Sequence, residues 1–277
     1  MKPTDSRTLF RGEVEVHSFG TASGNWALRG YGREGCEAYN PGIGEKVESL
    51  LGAHRIGRLY MPSPHRFNAE VAAHEALQVS WKPGRIFRGV DAEGVVLDKI
   101  GDACGLSSSD CPTIIARHGL TGLVAAAHAG LKSLYDDAAL FENAPKRRYA
   151  SVVDALVETL APGGLDDAAH LEVFTACGIG ALHFRHPWDD PVYGDRNRKL
   201  CAYLVFEWGQ TACTFDQISL KSIIARQFEA RGVDHRKIRH DDVDTAGPQR
   251  HGDQYSWHSH RRDKDGQRNF VLTIRRR

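Results

Sequence analysis

The sequence predicts an α/β fold. Apolar strand-like segments alternate along the chain with amphipathic helical stripes, and no repeat, low-complexity tract or linker divides them, so residues 1–277 read as one domain. A hydrophobic share of 41% over 277 residues is enough for a sizeable core. Glu13–Phe19 alternates like a half-buried strand, and the glycine-rich run from Gly20 to Gly44 reads as loop. Glu45–His54 has the spacing of a short amphipathic helix, and Ile56–Met61 that of a strand ending at Pro62-Ser63-Pro64-His65. Strand fragments follow at Val95–Asp98 and Ala103–Leu106. Pro112–Ala116 and Gly122–Ala127 are two apolar segments joined by a short turn, which predicts a hairpin. Further on, Leu131–Leu140 reads as a helix, Tyr149–Leu160 as a helix with a core-facing stripe at Val152, Val153, Leu156, Val157 and Leu160, and Leu171–Phe174 as a strand. Cys201–Glu207 reads as a strand, Ser222–Arg231 as a helix stopped by Gly232, and Phe270–Ile274 as the last strand.

The chemistry concentrates in two short segments, Ser109-Asp110-Cys111-Pro112 and Ala127-His128-Ala129-Gly130. If the hairpin forms, its first and last residues are neighbours, and Cys111 is brought towards His128. A thiol and an imidazole at adjacent strand ends can ligate one metal ion or act as nucleophile and base. The amide groups opening the Leu131–Leu140 helix would face the same spot and favour a thiolate or a bound anion.

The order of these pieces resembles the laccase-domain family, also known as polyphenol oxidase or purine nucleoside phosphorylase. Its signatures are ADCxP, HAGWRG, GPxIG followed by phenylalanine, and a closing YSYRR followed by GR. This chain has Ser109-Asp110-Cys111-Pro112 for the first and His128-Ala129-Gly130-Leu131-Lys132-Ser133 for the second. It has Gly178-Ile179-Gly180 with Phe184 for the third, and His258-Ser259-His260-Arg261-Arg262 with Gly266-Gln267-Arg268 for the fourth. The likeness runs from about residue 45 to 275, and the glycine-rich residues 1–44 match it poorly. It departs where Leu131-Lys132-Ser133 replaces Trp-Arg-Gly and where His258 and His260 replace tyrosines.

The resemblance implies a mixed central β-sheet flanked by helices, related to the fold of toxin deamidases, with site residues at strand exits. It implies one transition metal, Zn²⁺ with copper second, held by one cysteine and two histidines. Cys111 and His128 take two of those positions. The third is His65, counting forward along the chain, or His74, counting back from Asp91-Ala92-Glu93-Gly94. Three protein ligands leave a vertex open, as in catalytic zinc sites. The implied reaction is phosphorolysis of purine nucleosides, with adenosine deamination as a second activity. Lys132, Arg261 and Arg262 are the candidate phosphate ligands, because guanidinium forks match phosphate oxygens.

Composition narrows the partners. Lysine plus arginine, 36, nearly cancels aspartate plus glutamate, 35, so no global field draws the chain to nucleic acid or an anionic membrane. A small nucleoside and phosphate are the expected ligands, and the expected assembly is a monomer or small homo-oligomer. No stretch approaches the roughly 18 apolar residues of a membrane span, and the polar opening segment has no leader-like apolar core, so the expected location is the cytoplasm. Six cysteines without CxxC pairs read as reduced thiols. Three other readings compete: a metal-free Cys111/His128 hydrolase or amidase, a peptidoglycan-precursor quality-control protein, and a copper polyphenol oxidase. The last is disfavoured because multicopper sites need several His-x-His pairs and the sequence offers His258-Ser259-His260.

Overall fold

The computed structural model describes residues 1–27, 42–62, 69–72, 79–82, 85–88, 91–251 and 254–277. The chain begins with strands β1 (Asp5–Leu9) and β2 (Val14–Phe19), helix α1 (Gly42–Ala53) and strand β3 (Arg58–Met61). Short strands β4 (Val71–Ala72), β5 (Val79–Lys82) and β6 (Ile86–Arg88) precede β7 (Gly94–Leu97), β8 (Asp102–Ser108), β9 (Thr113–His118) and β10 (Val124–His128). Helices α2 (Asp137–Glu142), α3 (Val152–Leu160) and α4 (Leu165–Ala168) lead to β11 (Leu171–Ala176) and helix α5 (Gly194–Trp208). The strand pair β12 (Cys213–Thr214) and β13 (Gln217–Ile218) is followed by α6 (Leu220–Ala230) and β14 (Ile238–His240). A second small pair, β15 (Arg250–His251) and β16 (Gln254–Tyr255), precedes α7 (His260–Asp263) and β17 (Asn269–Arg275).

The predicted mixed α/β architecture is borne out, but the strands divide between two sheets instead of sharing one. One has the order β1-β2-β17-β8-β3-β6-β5 and the other β14-β11-β9-β10-β7-β4. Both are mixed: β3 runs parallel to β6 and β8, and β11 to β14, while the pairs around them are antiparallel. The period-two alternation of side chains decides how the layers stack. Ile115, Val124, Ala126 and Phe174 of the six-stranded sheet meet Val16, Cys104, Leu106 and Val271 of the seven-stranded sheet in one apolar layer. Their chain neighbours Ile114, Ala116, Ala125, Ala127 and Val173 point the other way, onto α3, α5 and α6. On the far side, Ala103, Phe270, Leu272 and Ile274 pack on Ile43, Val47 and Leu50 of α1. The order is therefore helix, sheet, sheet, helices. Arg117 of β9 ties the layers by gripping both oxygens of Glu13 at 2.7 and 2.6 Å, with Glu172 of β11 at 2.9 Å.

Two local expectations are corrected. Cys201–Glu207 is part of α5 and not a strand: Leu200, Cys201 and Leu204 are buried while Ala202, Phe206 and Glu207 face water, a helical spacing that the run of apolar residues disguises. Leu131–Leu140 is not one helix either. A turn at Leu131–Ser133 ends, and Asp136 starts α2 afresh by accepting the amides of Ala138 and Ala139. The helix over Tyr149–Leu160 begins at Val152, fixed there by a reciprocal cap between Ser151 and Asp154.

Where β2 passes the end of α1, the rings of His17 and His54 lie 4.2 Å apart. Burial lowers the pKa of both, and Glu15 beside His17 only partly offsets it, while His17 and Arg276 add to the lowering at His54. The folded chain then binds fewer protons than the unfolded chain below the ordinary imidazole pKa of about 6.5. This contribution to stability is complete above that pH and is lost as pH falls. The urea midpoint is expected to drop between about pH 6.5 and pH 5, and a His17→Phe/His54→Phe double variant should show a shallower drop. Equal slopes for the two proteins would remove the histidine pair as the cause.

Candidate active site

The hairpin predicted from the two apolar segments sets the site. β9 and β10 pair antiparallel with Thr113 opposite His128, and Thr113 also faces Ala176 of β11. Cys111, two residues before Thr113, is therefore held above the end of β10. The loop that carries it is pinned from several sides: Cys111 N donates to Ser108 Oγ at 3.1 Å, Ile179 N to the Asp110 carbonyl at 2.8 Å, and Ala129 N to the Pro112 carbonyl at 2.9 Å.

Gly130 reveals where the side chains point. A Cβ placed on it would stand 3.1 Å from Cys111 Sγ, 2.9 Å from His128 Cε1 and 3.4 Å from His128 Nε2. The sulfur and the imidazole edge face one small volume that only a glycine leaves free. On the opposite edge of the ring, His128 Nδ1 lies 2.7 Å from Glu93 Oε2. Glu93 is fully buried, because β7 pairs with β10 at Gly94–Ala127 and places it beside His128, whose backbone amide donates to the Glu93 carbonyl at 2.8 Å. The carboxylate anchors the Nδ1 edge of the ring and leaves Nε2 facing the sulfur, the orientation common to metal-ligating histidines. Burial disfavours a charged His128, but negative charge on the Cys111 sulfur and on Glu93 outweighs it and pushes the imidazole up to about 10. The same negative charge would favour a metal cation, which would have to displace the proton from Nε2 to bind.

Behind Cys111 a second layer of contacts is built on Asp110, which is buried. Its Oδ1 accepts the Thr245 hydroxyl and its Oδ2 the backbone N–H of Arg261, both at 2.8 Å. The Asn269 amide donates to the carbonyls of Ser109 and His258 at 2.9 and 2.8 Å. The closing motif is thereby fastened to the cysteine loop. Glu93 and Asn269 carry no motif of their own in the sequence, and Asp110 stands in the Cys111 motif without a role assigned to it there. For Glu93 a signal existed, a lone carboxylate at the mouth of the apolar run Gly94-Val95-Val96-Leu97.

The remaining expected residues divide. Arg261 is half-buried, with its guanidinium 4.8 Å from the Phe184 ring centre, and the charges on Asp110 and Cys111 act on it. Arg262 is committed to structure: it holds both oxygens of Asp263 at 2.6 and 2.7 Å, the carbonyls of Thr245 and Trp257, and the face of Tyr255. Lys132 is exposed on the turn after Gly130. Both His65 and His74 lie outside the described residues. Among the described residues no three Cys, His, Asp or Glu side chains gather around one point. The two that do converge, a thiol and the Nε2 edge of an imidazole, are donor types that suit zinc or copper(I).

The family described as multi-copper polyphenol oxidoreductase laccase matches residues 63–275. The chain belongs to this family. It is the family that the Cys111 and His128 motifs resemble, and its match starts beyond the glycine-rich opening segment. Three solved structures share the fold. Hypothetical protein YfiH of Bacillus licheniformis superposes with a TM-score of 0.67 at 14% identity, over 95% of this chain and 93% of that one. Protein NMB0706 of Neisseria meningitidis, of family DUF152, gives 0.61 at 17% identity over 96% and 95%. YlmD of Geobacillus stearothermophilus gives 0.59 at 16% identity over 95% and 92%. No curated protein matches the chain.

Proposed function

We propose that the chain is a metal-dependent purine nucleoside phosphorylase that also deaminates adenosine at the same site. The observation that carries this reading is the convergence of Cys111 Sγ and His128 Nε2 beside Gly130, with Glu93 on the far side of the imidazole. Zn²⁺ held by Cys111, His128 and either His65 or His74 would supply a Lewis acid with one open position. The protein groups around it have separate tasks. Glu93 keeps His128 in the ligating tautomer, Asp110 ties Thr245 and Arg261 to the cysteine loop, and Arg261 provides a cation for phosphate. In phosphorolysis a phosphate oxygen bonds to the ribose anomeric carbon as the bond to the purine nitrogen breaks, and the electron pair leaves with the base. A small-molecule reaction in the cytoplasm suits a formal net charge of +1 and a structure in which no described helix is long and apolar enough to cross a membrane.

The test is direct. Protein incubated with inosine or adenosine and phosphate should release free base and ribose 1-phosphate in equal amounts, resolved by chromatography. Nucleosides that stay intact with every combination of base and phosphate would rule the reading out. A second reading, a metal-free cysteine hydrolase or amidase, is favoured by one observation, the thiol and imidazole facing each other beside Gly130 with Glu93 behind the ring, the order of a nucleophile, a base and an orienting acid. Metal content separates it from the first. A peptidoglycan-precursor binding role would show affinity without turnover, and copper-dependent phenol oxidation would need more copper ligands than converge among the described residues.

A further inference from the structure

Three arginines stand around the loop after Gly180, and two of them are neutralised. Arg185 grips Asp216 with contacts of 2.7 to 3.2 Å, and Arg262 grips Asp263. Arg261 forms no ion pair with any carboxylate among the described residues. Asp110, whose charge acts on it, spends its two oxygens on the Thr245 hydroxyl and on the backbone N–H of Arg261 itself. The direct partners of the Arg261 guanidinium are neutral acceptors, the Arg185 carbonyl at 3.2 Å and His186 Nε2 at 3.2 Å. A half-buried cation whose direct partners are all neutral is costly, and an anion in contact with it would offset that cost.

His186 is itself held from three sides. Its backbone N–H donates to the Asp216 carbonyl at 2.7 Å, its ring stands edge-on to Phe184 with centroids 4.9 Å apart, and the Asn197 side chain bonds the ring. An arginine N–H can only donate, so His186 must present a lone pair at Nε2 and carry its proton on Nδ1. Burial and the charge on Arg261 agree, holding its pKa down at about 4. A carboxylate at this position would fix Arg261 equally well but would cancel its charge. A neutral imidazole fixes the fork and leaves the charge for a ligand.

We infer that His186 is a positioning residue that holds the Arg261 guanidinium beside the Cys111 loop as the receptor for an inorganic oxyanion. Taking that anion to be phosphate rests on the phosphorolysis read above. The site comprises Arg261 as the binding group, Phe184 and His186 as its supports, and Asp110 as the link to Cys111.

Phosphate binding to the metal-loaded protein, measured by calorimetry, tests the inference without requiring turnover. His186→Ala should weaken phosphate binding by about tenfold, the loss expected for a hydrogen bond to a charged group. His186→Gln, whose side-chain oxygen reaches the Nε2 position, should restore most of it. His186→Asp should abolish it by neutralising Arg261, an effect that a purely structural histidine would not produce. If nucleosides are phosphorolysed, the KM for phosphate should rise in His186→Ala while that for the nucleoside stays the same. The expected pattern in a protein that never cleaves nucleosides supports the oxyanion site and rejects only phosphorolysis. Phosphate binding that is absent in the parent protein, or equal in the parent and the His186→Asp variant, overturns the inference. The Gln and Asp variants carry the comparison should His186→Ala fail to fold.

Discussion

Replacing Cys111 with alanine should leave a folded chain that holds no metal and turns over no nucleoside. On the proposed reading Cys111 would contribute the soft donor, and it lies in a loop held by backbone hydrogen bonds that alanine retains, so its loss would remove the ligand without unmaking the loop. The parent protein, purified without chelator, should carry about one equivalent of zinc, and the variant almost none, by elemental analysis. Turnover should fall by at least about a thousandfold, since both the Lewis acid and its geometry go together. Glu93→Gln keeps the volume and weakens the grip on His128, and the expected result is a loss of metal affinity of roughly 10- to 100-fold with the fold intact. The hydrolase reading makes the opposite forecast: a metal-free parent protein in which iodoacetamide labels Cys111 rapidly. Peptide mapping assigns the labelled thiol: burial raises the thiol pKa values of Cys104 and Cys177, while the hydrogen bond with Cys213 lowers that of buried Cys201 to about 7, so label on Cys201 must be separated from label on Cys111.

Gly94→Ala should be strongly destabilising. A Cβ at this position would come within 2.3 Å of the Ala126 carbonyl oxygen, 2.5 Å of Ala127 Cβ and 2.6 Å of Ala127 Cα. Two of those atoms are backbone and the third is bonded to it, so β7 and β10 must separate. The expected cost is roughly 3 kcal/mol or more, at the upper end for overpacking. For a chain of this size that corresponds to a drop of about 10 °C in Tm, read by circular dichroism. The same displacement pulls Glu93 off His128, so metal affinity should fall with stability. Gly52→Ala is the control, with open space at its Cβ on helix α1, and should be neutral or slightly stabilising. An unchanged Tm for Gly94→Ala would mean that β7 and β10 do not pair as described.

Much of this site is legible in the residue order. Apolar segments around a short turn specify the β9–β10 hairpin, and a hairpin leaves its two ends together, so Cys111 and His128 can be paired from the sequence alone. Glu93 escapes such reasoning because its contact depends on β7 pairing with β10, a non-local event that has no spacing signature. The second sheet is hidden for a related reason. Thr113-Ile114-Ile115-Ala116 is buried on both faces, which indicates covering layers but does not say whether they are helices or strands. The α5 error is local: Cys201-Ala202-Tyr203-Leu204-Val205-Phe206 is rich in strand formers, and its helical spacing becomes evident only with Leu200 included. The choice between His65 and His74 falls outside the described residues.

The position of β17 bears on how the chain acquires its shape. This strand lies between β2 and β8, with Leu272 opposite His17 on one side and Gly105 on the other. Until it arrives the larger sheet exists as two unconnected parts, each with a bare hydrogen-bonding edge. During synthesis at about 5 to 20 residues per second, the opening hairpin waits roughly ten to fifty seconds for its partner. Assembly is therefore governed by a late, long-distance insertion instead of local zippering, and the exposed edges of the nascent chain are where a chaperone would act or aggregation would begin.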